Sequence, residues 1–239
     1  MSSWATCRIE CALCHQANTC SFLKSTNTFG GVSDLDTRHG GAARKDLLGT
    51  IQRCSHCGYC APDIRRTHEK AADIVPTAGY KQVVEDRSLP KLARAWLSWS
   101  LIAEEGGEGV EAGWAALSAA WACDDAGRSE HAERCRIRAA TLFEGVIQAG
   151  QKFSPEAAGD AAILADILRR CGRFAEAKEF CAIEVGPETP EQIAAGLAFQ
   201  RLLCEREDRR GYCFHDLERY RRNPSSWRPI RWWEIVWRV

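Results

Sequence analysis

Cys11-x-x-Cys14 and Cys54-x-x-Cys57 are the residues best equipped for chemistry in this 239-residue chain. A two-residue gap lets both thiolates of a tight turn face the same ion, and two such turns supply four sulfurs for a tetrahedral Zn²⁺. The surrounding residues read Cys-Ala-Leu-Cys-His and Cys-Ser-His-Cys-Gly-Tyr-Cys. Gly58, directly after the second pair, suits the positive-φ position that closes such a turn. Cys11, Cys14, Cys54 and Cys57 are therefore the expected metal ligands, with zinc in a structural role.

The remaining cysteines divide by place. Cys7, Cys20 and Cys60 share the N-terminal segment with the four ligands, and Cys123, Cys135, Cys171, Cys181, Cys204 and Cys213 are scattered singly along helical patterns. The scattered six read as small core side chains. The fate of Cys7, Cys20 and Cys60 stays open between packing under the ribbon, free or redox-active thiols, and a second metal completed by His15, His56 or His68. Two iron–sulfur spacings also occur: Cys7-x3-Cys11-x2-Cys14, and Cys54-x2-Cys57-x2-Cys60 with one distant cysteine. The first would need a βα barrel around it, and nothing downstream alternates strand with helix.

Asp34, Asp36 and Arg38 lie in a glycine-flanked loop between the cysteine pairs. They read as turn formers or as a binding loop. No Ser–His–Asp order, phosphate-cradling glycine loop or His-Glu-x-x-His is present, so no catalytic residue is assigned. The C-terminal segment interleaves arginine with Trp227, Trp232, Trp233 and Trp237. Within 230–239, Arg231, Glu234 and Arg238 form one narrow polar stripe on an otherwise apolar helical pattern. This segment is expected to cap the helical body or to dock a partner, including a second copy of the chain.

The elements that must position these groups follow from periodicity. Residues 1–61 lack helical spacing and carry the turn signals Gly30-Gly31 and Gly40-Gly41, as expected of a small metal-stapled β unit, a zinc ribbon. From Pro62 the period becomes 3.6. A helix is expected to start at Pro62-Asp63 and run from Ile64 to Val75. Ser88 is expected to cap the next, with Pro90 in its first turn. Ser154-Pro155-Glu156 and Thr189-Pro190-Glu191-Gln192 read as further starts, the latter as a capping box. About eight helices fill residues 62–222 on this reading. Ala161, Leu164, Ala165, Leu168, Gly172, Phe174, Ala177 and Cys181 fall at the spacing of a tetratricopeptide hairpin. The expected fold is mainly α: a ribbon at 1–61, tetratricopeptide-like hairpins at 62–222, and a basic Trp-rich tail at 223–239.

Composition narrows the function classes. Lys+Arg and Asp+Glu are both 32, but residues 76–218 hold 17 against 24 and residues 219–239 hold 6 against 1. A neutral sum makes nucleic acid an unlikely partner, and an acidic body beside a basic tail suits docking of one on the other. The absence of an apolar run near 18 residues, and of a signal-like start, leads us to expect a cytoplasmic protein with no membrane span.

Several of these motifs together carry a resemblance. Cys11-Ala-Leu-Cys14, Phe29-Gly30, Asp34-Leu35-Asp36-x-Arg38, Cys54-x-His56-Cys57-Gly58-Tyr59-Cys60-Ala61 and Ala119-Ala120-Trp121-x-Cys123-Asp124-Asp125 resemble an uncharacterised bacterial family with paired N-terminal CxxC motifs and tetratricopeptide-like helices. The likeness runs to about residue 215 and leaves the Trp-rich tail outside. It implies a zinc-bearing helical protein of bacterial origin and no particular activity. The expected function is non-catalytic binding of a protein or peptide, with a metal- or thiol-dependent activity at the cysteine cluster and nucleic-acid binding as alternatives.

Overall fold

A computed structural model describes residues 2–27, 29–224 and 227–228. The chain opens with an antiparallel hairpin, β1 (Ser3–Glu10) and β2 (Ala17–Ser25), in which Cys7 faces Cys20 and Ile9 faces Asn18. After residues 29–42 come a short helix α1 (Ala43–Asp46) and a 3₁₀ turn (Leu48–Thr50). A second, two-residue ladder follows, β3 (Gln52–Arg53) against β4 (Cys60–Ala61). The rest is helical: α2 (Ala71–Ile74), α3 (Ala78–Glu85), α4 (Lys91–Glu105), α5 (Gly109–Asp125), α6 (Ser129–Gln148), α7 (Gly159–Arg170), α8 (Phe174–Cys181), α9 (Glu191–Glu205) and α10 (Phe214–Arg222).

Helix α5 packs between α4 and α6, and its sequence explains how. Ala112, Ala116, Ala119 and Ala120 are fully buried, and Gly113 lies against the Phe143 ring, where an added Cβ would stand 2.5 Å from a ring carbon. Small side chains let neighbouring helices approach closely, so α5 acts as a slim spacer between bulkier partners. Helices α4, α5, α6, α7 and α9 all end alike, with the N–H three residues past the last helical residue bonded back to a carbonyl in the last turn. These bonds are Glu108 to Ala103, Arg128 to Cys123, Gln151 to Val146, Arg173 to Leu168 and Asp208 to Leu203. Glycine supplies the left-handed residue at four of the five ends, and Glu207 takes it at φ 51° after α9.

Several helix boundaries differ from the periodic reading, each for a visible reason. Residues 62–67 are turns, and only Ala71–Ile74 of the expected 64–75 helix is helical. Their main-chain groups are taken by distant partners: Ile64 N–H donates to Gln52 Oε1, Ile64 O accepts from Ala12 N–H, and Arg66 O accepts from the Tyr59 hydroxyl. Helix α3 forms where no helix is expected, with the Thr77 hydroxyl accepting from Tyr80 N–H. Ser88 bonds to the Asp86 carboxylate instead of capping α4, which follows Pro90 directly. Ser154-Pro155-Glu156 forms a turn, and α7 begins only after Ala158, at φ 60°. Helix α9 starts after Pro190 without the expected capping box. Nine helices therefore lie in 62–222 among the described residues, with α1 and the 3₁₀ turn adding helical structure upstream.

Three apolar clusters organise the interior. One gathers α5, α6 and α7 around Leu117, Phe143 and Leu164. The second joins the N-terminal segment to the helices: Cys11, Cys54, Tyr59, Cys60 and Ile64 pack with Tyr80, Val84, Trp99, Ile102 and Ala115. The third holds Leu35, Phe199, Leu203, Tyr212, Leu217 and Trp227. Residues 33–35 pair with 212–214 through Leu35 N–H to Tyr212 O and Phe214 N–H to Ser33 O. The N-terminal segment thus touches the helical body near both its first and last helices. No described helix is long and apolar enough to cross a membrane.

Candidate metal centre

The two CxxC turns are built alike. In the first, Cys11 N–H donates to Gln16 O and His15 N–H to Cys11 O; in the second, Cys54 N–H donates to Tyr59 O and Gly58 N–H to Cys54 O. Each places its fifth residue in the left-handed region, His15 at φ 58° and Gly58 at φ 80°. Glycine bears that conformation without strain, whereas His15 carries a modest cost. Each turn is closed by its own hairpin, so the short ladders serve to present two rigid knuckles to one another.

The sulfurs meet at metal-ligand spacing. Cys11 Sγ lies 3.8 Å from Cys57 Sγ and Cys14 Sγ 3.6 Å from Cys54 Sγ. All four lie within 4.8 Å of one another. Zinc–sulfur bonds of about 2.3 Å at tetrahedral angles give a sulfur–sulfur edge of about 3.8 Å, so the residues fit a Zn²⁺ ion. Cys11 and Cys54 are fully buried, and Cys14 and Cys57 partly so.

The surroundings favour thiolate at one position and resist more. Burial opposes ionisation of Cys54, but the N–H groups of Cys57 and His56 and the Asn18 amide outweigh it and bring the thiol down to about 6. Burial, with the neighbouring thiols Cys14 and Cys54, pushes Cys57 up, and burial does the same to Cys11. A divalent cation at this site would offset thiolate charge and release thiol protons on binding. Asn18 also ties the knuckles together: its amide nitrogen donates to Cys54 Sγ and its oxygen accepts from Ser55 N–H and Oγ. It stands opposite Ile9 on the inward face of β2, and nothing in its local sequence singles it out.

The centre is anchored to the helices. The Tyr80 hydroxyl donates to Gly58 O and accepts from Cys60 N–H, each at 3.0 Å, fastening the second knuckle to α3. Cys60 is fully buried, donates to Gly58 O, and its thiol is pushed up to about 11 by burial. It is thus a core side chain outside the four-sulfur group. Cys7 and Cys20 also lie outside that group, as paired residues of the β1–β2 hairpin, Cys7 exposed and Cys20 buried. Neither iron–sulfur spacing is assembled, and among the described residues no second cluster of metal-ligand type forms.

The loop residues enter a different arrangement. Asp36 and Arg38 are buried, and Asp34 pairs with Arg44 at 2.7 Å. Asp36 accepts from Trp121 Nε1 at 2.7 Å and pairs with Arg170 at 3.2 Å; Arg38 pairs with Asp125 at 2.5 Å. Arg170 also pairs with Asp124, which pairs in turn with Arg136. These carboxylates and guanidiniums pair with one another, clasping residues 34–38 to α5, α6 and α7, while Arg38 Nε and Arg136 Nε stay buried without a hydrogen-bond partner. The participation of Asp124, Arg136 and Arg170 has no local sequence signal.

Trp227 is packed on its own chain, with its ring 4.8 Å from that of Phe199 and its carbonyl accepting from Arg206. Arg231, Trp232, Trp233 and Trp237 lie outside the described residues. Where α3, α4 and α6 meet, a cleft of about 260 Å³ is lined by Leu89, Leu97 and Leu101 together with Asp86, His131 and Arg134. Compared with known proteins, the chain matches no family model, no curated protein and no solved structure.

Proposed function

We propose that this chain is a non-catalytic, zinc-containing helical scaffold that binds a protein or peptide segment. The observation that carries the reading is the closed set of four sulfurs seated in a core shared with α3, α4 and α5. Four thiolates fill a tetrahedral zinc, so no position is left for a water or substrate. Cys11, Cys14, Cys54 and Cys57 hold the ion, and its role is to weld two short hairpins that are too small to build a core of their own. The α7–α8 pair, turning at Gly172 with Ala161, Leu164, Ala165, Leu168 and Ala177 buried, supports a tetratricopeptide-like reading of the hairpins. In such arrays, partners are held in surfaces between stacked helices.

The cleft between α3, α4 and α6 is the binding surface in this reading. Its apolar lining suits one aliphatic or aromatic side chain, and Arg134 suits a carboxylate beside it. Selection from a displayed random-peptide library tests this. Peptides combining an apolar anchor with an adjacent acid are expected, and Arg134→Glu is expected to weaken them at least tenfold without shifting the thermal midpoint. Recovery of no peptide, together with turnover of a substrate that depends on Asp34 or Asp36, would contradict the scaffold reading.

A further inference from the structure

Cys7 and Cys20 stand directly opposite each other on the antiparallel β1–β2 ladder, so both side chains leave the same face of the hairpin. Opposed residues in such a ladder have Cα atoms about 4.5 to 5.5 Å apart, and a disulfide spans about 4.4 to 6.8 Å. The register therefore puts the two residues within the range that a disulfide spans. The two thiols differ in access: Cys7 is exposed and Cys20 is 7% exposed. Neither belongs to the four-sulfur group. The Arg65 guanidinium lies 4.9 Å over the ring of Phe22, two residues from Cys20 along β2.

We propose that Cys7 and Cys20 form a reversible thiol–disulfide pair, oxidised by low-molecular-weight disulfides and separate from the metal ligands. The exposed Cys7 thiolate attacks one sulfur of the oxidant, forming a mixed disulfide and expelling the other sulfur as a thiolate. Cys20, having given up its proton to solvent, then attacks Cys7 Sγ and expels the second small thiol. Two protein thiols are oxidised to one disulfide, and one small disulfide is reduced to two thiols. The unequal exposure sets the order, since the reagent reaches the exposed Cys7 before the buried Cys20. The product staples the hairpin that carries the first knuckle. The inference rests on the ladder register and holds whether or not the cleft binds peptides.

The test incubates the metal-loaded full chain with oxidised glutathione, blocks free thiols with iodoacetamide and maps the peptides. The expected result is a Cys7–Cys20 disulfide, reversed by dithiothreitol, with the metal retained. In Cys20→Ser the mixed disulfide should accumulate on Cys7, and in Cys7→Ser oxidation should slow at least tenfold. A stable glutathione adduct on Cys7 in the natural chain would overturn the inference. So would a disulfide involving Cys11, Cys14, Cys54 or Cys57 with loss of metal, or unreacted Cys7 and Cys20.

Discussion

Two regions fasten the N-terminal segment to the helices, and they do it by opposite means. The metal centre gathers four sulfurs from two local turns, each closed by its own main-chain hydrogen bonds. The ionic clasp gathers Asp36, Arg38, Asp124, Asp125, Arg136 and Arg170 from a loop and three helices. In the first, each half is preformed and one ion would complete the set. In the second, Asp36, Arg38 and Arg170 meet partners only once distant segments are assembled, so these charges report on the fold more than they create it. A buried ion pair is weak evidence of net stability, because desolvation offsets the attraction, yet losing one partner strands the other.

The comparison is broken most severely at the sulfurs. Cys54→Ser removes a fully buried ligand, and structural zinc sites are worth about 10 kcal/mol or more of apparent folding free energy in small modules. We expect loss of zinc by metal analysis and proteolysis within residues 1–61 under conditions where the natural chain is intact. At the clasp, Arg170→Met leaves Asp36 and Asp124 short of a partner and is expected to cost about 3 to 5 kcal/mol in urea unfolding. Its zinc content should stay at one per chain. Loss of zinc in Arg170→Met would show that the two fastenings are not separate.

Acid should act on the clasp in a definite direction. Burial opposes ionisation of Asp124, but Arg136 and Arg170 overcome it and hold the carboxyl below its ordinary value of 3.8. Asp166 is likewise held low by Arg169, Arg170 and Gln200 against its burial. For groups depressed in the folded state, the stabilisation is fully present above the unfolded value and disappears as pH falls through the folded one. Urea midpoints should therefore fall below about pH 4, and the fall should be smaller in Asp124→Asn. An unchanged slope in that variant would remove Asp124 from the account.

Smaller effects sharpen the metal side. Asn18→Ala deletes the hydrogen bond to Cys54 Sγ and the link to Ser55, and loss of such supporting contacts typically weakens metal binding by about 10- to 100-fold. Competition with a chromophoric chelator measures this. Tyr80→Phe removes a hydroxyl that bonds Gly58 O and Cys60 N–H and should cost about 1 to 3 kcal/mol, with zinc affinity nearly unchanged.

The same contrast explains what the sequence made legible. Cys11-x-x-Cys14 and Cys54-x-x-Cys57 could be paired by eye because a knuckle's geometry lives within five residues. The long helices α4, α5, α6 and α9 were legible from period 3.6 for the same local reason. Residues 62–67 read as helix because nothing nearby reveals that Ile64 and Arg66 give their main-chain groups to Gln52, Ala12 and Tyr59. Asp36 and Arg38 read as turn formers or a binding loop because their partners stand at Trp121, Asp125 and Arg170, and only the fold brings them together. They do form the turn, with Thr37 N–H on Asp34 O and Arg38 N–H on the Asp36 carboxylate, and tertiary placement buries it.

Zinc titration of the metal-free chain, read by the thermal unfolding midpoint, tests the central claim most directly. The account predicts a midpoint that climbs with added zinc and breaks sharply at one equivalent, and no such climb in Cys54→Ser. A midpoint indifferent to zinc, or a break retained in that variant, would contradict it.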